Sequence, residues 1–111
     1  MKTLVGREED IESSEEGPFP AKILLSEQET PTASVKLGTP KEGRRIEPHM
    51  HNECDQLEYH PKGRALMFPE GLGERKMLQG SFTYILKGVR HGILNVAEPL
   101  TVITVFVPPL F

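Results

Sequence analysis

The fold is decided by GRRIEPHMHNECDQLEYHPKG, residues 43–63. His49 and His51 stand two apart, and on a strand residues at that spacing point to one face, about 7 Å apart along the backbone. Neutral imidazoles so placed can converge on one metal ion, although two surface histidines on a polar edge would show the same spacing. Gly43 stands six residues before His49, Gln56 five after His51, and Gly63 seven after Gln56. A second stretch, GSFTYILKGVRHGILN at residues 80–95, sets Gly80, Gly88, His91 and Asn95 at intervals of eight, three and four.

Working outward, the chain reads as strand, turn, strand. Ala33, Val35 and Leu37 alternate with Ser34 and Lys36, the period-2 pattern of a half-buried strand. Short strands are also predicted at 23–25, 46–51, 56–60, 64–68, 75–78, 82–86, 92–96 and 101–107. Pro61-Lys62-Gly63, Glu70 to Gly73, Gly80, Gly88 and Glu98-Pro99 punctuate them as turns. No window sustains a 3.6-residue period for three turns, so the architecture is all-β. Nine strands at this spacing make a sandwich or barrel. Residues 1–20 read as a separate acidic arm ahead of a single barrel domain at 21–111. The arm holds six acids between Glu8 and Glu16 and ends in Gly17-Pro18-Phe19-Pro20. It is expected to be a solvated segment, a little helical at its start, or to pack on a sister subunit.

Taken together, the two stretches resemble the cupin family. Its first motif runs Gly, five residues, His-x-His, three or four residues, Glu, six residues, Gly. Its second runs Gly, five residues, Pro, one residue, Gly, two residues, His, three residues, Asn. Residues 43–63 and 80–95 follow both at every spacing, and the resemblance extends over residues 33–107. It implies a double-stranded β-helix, the jelly-roll barrel of cupins, with His49, His51, Gln56 and His91 holding one divalent transition metal ion (Ni, Zn, Mn or Fe) at the barrel mouth. Leu86 replaces the second motif's Pro, which removes some rigidity before Gly88. Gln56 replaces the usual Glu. A Gln coordinates through its carbonyl oxygen and brings no charge. Three imidazoles and an amide therefore leave the ion's +2 uncompensated, which strengthens it as a Lewis acid, loosens its binding and supports Fe(III) poorly. Glu53 is an alternative fourth ligand, at the wrong distance from His51 for the motif.

Strand parity adds candidates around that centre. Glu58 lies two residues after Gln56 on the same face, where a carboxylate must be paired or in use; it is the candidate general base. His60 shares the parity but lies about 13 Å from Gln56, beside the turn at Pro61, and is expected at the rim, making a hydrogen bond or exposed. Arg45 is placed to orient a substrate carboxylate, or else belongs to a solvated pair with Arg44. Tyr84 and Phe106 offer rings to the pocket or to the core. Cys54 is expected to be an ordinary loop residue near the ion.

Composition excludes several partners. Thirteen Lys and Arg against sixteen Asp and Glu give a net charge of −3, and there is no Trp. The chain thus lacks both the basic field and the aromatic platforms of nucleic-acid binding. No run of 18 apolar residues exists and an acidic segment follows Met1, so neither a membrane span nor a signal peptide is expected. The single cysteine fits a reducing cytoplasm. Apolar residues on both faces of 64–68 and 102–107 predict a sheet covered by a second subunit, in a homodimer.

The function expected is a metal-dependent enzyme of the isomerase, lyase or decarboxylase type, acting on a polar carbonyl compound or sugar acid. Small cupins with a Gln ligand that process unsaturated uronates are one model. This chain departs from them by carrying Thr104 and Leu110 where they have an acid and an Arg. A cupin dioxygenase and a non-catalytic small-molecule-binding or sensor cupin are the alternatives.

Overall fold

The computed structural model describes residues 2–111. Its seven strands are β1 (Ala21–Leu25), β2 (Ser34–Gly38), β3 (Ile46–His49), β4 (Asp55–Pro69), β5 (Arg75–Met77), β6 (Ser81–Ile85) and β7 (His91–Val107). All pair antiparallel in the order β1-β2-β7-β4-β5, with β3 added to β7 and β6 to β4. The described residues hold no α-helix, only one 3-10 turn at Glu8–Asp10. No helix is long and apolar enough to cross a membrane.

Nine predicted strands become seven because two pairs are continuous. Residues 56–60 and 64–68 form one strand, β4, and 92–96 and 101–107 form another, β7. Pro61-Lys62-Gly63 and Glu98-Pro99 are bulges rather than turns. The β4–β7 register shifts repeatedly between Tyr59 and Ala65 while pairing continues on either side. The extra residues bend both strands together, so one ladder serves two walls of the barrel. Gly63 sits at this corner with φ +95°, and a Cβ there would collide with the Pro99 carbonyl oxygen. Only glycine meets both conditions.

The interior holds two apolar clusters. One joins Ile46, Ala65, Ile93, Val96, Leu100 and Val102, with Phe19 packed against it; the other joins Met67, Met77 and Ile85, with Val89. Alongside them runs a polar wall. Directly opposed residues share a face, so the register places Lys36, Thr104, Glu58 and Thr83 in one row, and Ser34, Phe106, Gln56 and Ile85 in the next. Ser34, Thr104, Gln56 and Glu58 are all buried, so these rows face inward. The face of β2 is therefore the reverse of what its apolar alternation implies: Ser34 and Lys36 point inward, and Val35 and Leu37 outward.

The acidic segment folds back on the barrel. Ser14 bridges to Ala21, and Lys22 pairs with Glu8 at 2.7 Å. Glu8 to Asp10 stay exposed, but Phe19 reaches the core.

Candidate metal centre

Three local features bring the histidines together. His49 ends β3 directly opposite His91, which opens β7. This approach needs Gly92, where a Cβ would lie 2.6 Å from the Ile46 carbonyl oxygen. His51 lies just beyond β3, and its carbonyl accepts the Gly88 amide at 2.8 Å, tying the first stretch to the turn before His91. That turn closes through Val89 N–H to Leu86 O at 3.2 Å without the family's proline.

The ring centroids of His49, His51 and His91 lie 4.4–5.6 Å apart. One nitrogen from each falls within 4.8 Å of the others, the separation expected around a shared ion. The Nδ1 atoms of His49 and His91 lie 3.0 Å from the carbonyl oxygens of Glu47 and Val89. A carbonyl only accepts, so both Nδ1 atoms carry the proton and both Nε2 atoms keep a lone pair. Such backbone anchoring is what orients a ligating imidazole. Burial holds His91 neutral, its pKa drawn down to about 4 against the bond to Val89, and burial with neighbouring His49 and Lys36 lowers His51 too. The described residues leave His91 Nε2 and Gln56 Oε1 buried without a hydrogen-bond partner. Neutral, fixed, unpartnered donors of this kind fit a divalent ion.

Gln56 and Glu58 form a unit. Gln56 Nε2 donates to Glu58 Oε2 at 2.9 Å, which turns the amide so that Oε1 is left over. Glu58 is buried, its pKa pushed up to about 7 by desolvation, with the Gln56 bond and the Lys36 charge opposing. Its Oε1 has no hydrogen bond, and His60 Nε2 stands 3.9 Å away.

A cavity of about 570 Å³ opens over this cluster, within the size range of small-molecule sites. His49, His51, His91, Gln56, Glu58 and Phe106 line it, and Arg45 stands at its edge. Arg45 spends its Nε on Glu47 at 2.8 Å, on the surface. Phe106 packs edge-on against His51, centroids 5.4 Å apart.

Two candidates lie elsewhere. His60 is 1% exposed and outside the cavity, not at the rim, because β4 continues past Pro61 as one strand and keeps it in the interior. Tyr84 is 56% exposed on the outer face, where its hydroxyl donates to Asp55 at 2.7 Å. It is paired with Leu57, an outward position, so its ring cannot reach the cavity. Glu53 is exposed, and neither it nor the buried Cys54 joins the histidine cluster.

Sequence reasoning missed Lys36 and the segment Pro18-Phe19, which line the cavity together with Thr104, the position aligned above with an acid of the uronate-processing cupins. For Lys36 the signal is register, since it shares the inward row of Thr104 and Glu58. For Phe19 no sequence pattern marks it.

No protein-family model and no curated protein matches this chain. Solved structures do. KdgF from a Halomonas species superposes with a TM-score of 0.79 at 23% identity over 90% of each chain. An RmlC-like cupin from Shewanella frigidimarina gives 0.84 at 16% identity, over 98% of this chain and 94% of its own. Ectoine synthase from P. lautus gives 0.87 at 16% identity, over 97% and 80%. The chain therefore has the cupin fold, an all-β double-stranded β-helix, with three histidines placed to fit a metal site.

Proposed function

We propose that the chain is a metal-dependent small-molecule enzyme of the isomerase or lyase type, acting on a polar carbonyl compound or sugar acid. One divalent transition ion (Ni, Zn, Mn or Fe) is held by Nε2 of His49 and His91, an imidazole nitrogen of His51, and Oε1 of Gln56. The observation carrying this reading is the set of converging imidazole nitrogens, two of them with tautomers fixed by backbone carbonyls. When bound, the ion supplies Lewis-acid polarisation of a substrate carbonyl or carboxylate oxygen. Glu58 moves the proton. Its carboxylate lines the cavity and its Oε1 is uncommitted, free to take and return a proton. Phe106, Ile93 and Met67 give the site apolar walls beside its polar ones.

The neutral ligand set favours this chemistry over a dioxygenase, which must stabilise an oxidised iron. The similarity to a synthase of the same fold supports catalysis over simple binding. The chain works as a homodimer in a reducing, cytoplasmic setting, with residues 21–111 as one barrel. An apolar outer sheet face and a single buried thiol support these points. The test is a panel of sugar acids and oxo acids on metal-loaded protein, beside Glu58→Gln. Turnover by the parent and a loss of at least about a hundredfold in kcat for the variant are expected. Binding without conversion would turn the reading towards a sensor or binding protein.

A further inference from the structure

Lys36 is the cation that the metal centre leaves unexplained. On β2 it opposes Thr104, which opposes Glu58, so its side chain enters the cavity on the same row as the candidate base. Its Nζ lies 5.1 Å from the centroid of Phe19 and 5.8 Å from that of Phe106. Two rings thus lie beside the side chain, in contacts that favour the charged ammonium against the burial that lowers its pKa. Among the described residues no carboxylate lies within ion-pair distance of Nζ and none of its hydrogens finds an acceptor. Phe106 also packs edge-on against His51, so the ammonium and the histidine cluster share one ring.

A half-buried ammonium, beside two aromatic rings, within the field of Glu58 but hydrogen-bonded to nothing, is poised for an anion brought in by the ligand. We propose that Lys36 is the carboxylate anchor of the cavity, and that the ligand is a small carboxylic acid. Its carboxylate lies on Lys36 Nζ and its carbonyl or hydroxyl oxygens face His49, His51 and His91. The inference rests on the metal-cupin reading for the second of these contacts only. Arg44 and Arg45 also line the cavity, but both are exposed and Arg45 is paired with Glu47, so Lys36 is the cation on the inner row, and one ammonium there matches one carboxylate.

The experiment is calorimetric titration of the full chain, with and without Ni²⁺, using two matched pairs: glucuronate against glucose, and 2-oxobutanoate against 2-butanone. At least one acid is expected to bind the parent more tightly than its neutral partner. Lys36→Met should weaken that acid by roughly ten- to a hundredfold, leave the neutral partner unchanged and leave Ni²⁺ uptake intact, while Lys36→Arg keeps most of the preference. If the parent prefers neither acid, or the preference survives Lys36→Met, the proposal is overturned. Should Lys36→Met and Lys36→Gln both fail to fold, Lys36 is the counter-charge of Glu58 and the proposal is likewise overturned. Failure of the parent to take up Ni²⁺ would refute the metal reading alone, because the acid preference is also read on metal-free protein.

Discussion

Gln56 differs from the expected Glu because of its neighbour. Its amide donates to a buried carboxylate 2.9 Å away, and a Glu there would bring two acids together in the interior. Charge is thus moved one residue out, from the ligand to Glu58 behind it. Gln56→Glu should destabilise metal-free protein by about 1–3 kcal/mol at pH 7.5, and the double variant Gln56→Glu/Glu58→Gln, which exchanges donor and acceptor, should recover most of the loss in urea unfolding. Additive losses would deny the pairing. Glu58 also predicts a pH dependence. Its folded pKa of about 7 exceeds the ordinary 4.5, so the fold favours the protonated form. That stabilisation is complete below pH 4.5 and is lost as pH rises through 7, amounting to at most about 3 kcal/mol. Gln does not titrate. The melting temperature of chelator-treated Glu58→Gln should therefore climb relative to the parent from pH 5 to pH 8, and a constant gap would contradict the buried carboxylate.

At the scale of elements, the histidines are legible in the sequence because each stands at a strand end, at fixed spacing from a glycine that shapes the adjoining turn. Lys36 is not legible, because alternation reveals two faces without saying which is inside. In most half-buried strands the apolar face is inward; here a polar cavity reverses β2. The strand count also exceeds the sequence's resolving power, since Pro61 and Pro99 mark bulges in continuous ladders as readily as turns between strands. The close approach of β3 to β7 yields a prediction. Gly92→Ala would set a methyl against the Ile46 carbonyl and the Pro48 backbone, forcing His49 from His91. Metal affinity should fall by at least about tenfold, measured by competition with a chromogenic chelator; unchanged affinity would mean the two strands need not be so close.

For the whole molecule, the inverted polarity has an outer counterpart. Two rows cross the outside of the sheet: Val35, Val105, Leu57 and Tyr84, then Leu37, Ile103, Tyr59 and Phe82. Phe82 is 72% exposed and stands opposite Tyr59, so aromatic surface of this extent awaits cover. In the proposed homodimer a second copy would supply a matching face by two-fold symmetry. Light scattering should give a dimer for the parent and a monomer for Tyr59→Glu/Phe82→Glu, while a monomeric parent would remove the proposed interface.

The metal reading requires one ion to join side chains from two separated stretches of sequence. It can be checked by anomalous diffraction from crystals of protein loaded with Ni²⁺, collected at the metal edge. One peak is expected about 2.0–2.2 Å from nitrogens of His49, His51 and His91, with Gln56 Oε1 as a fourth contact. A peak elsewhere, or imidazoles turned apart around no peak at all, would contradict it.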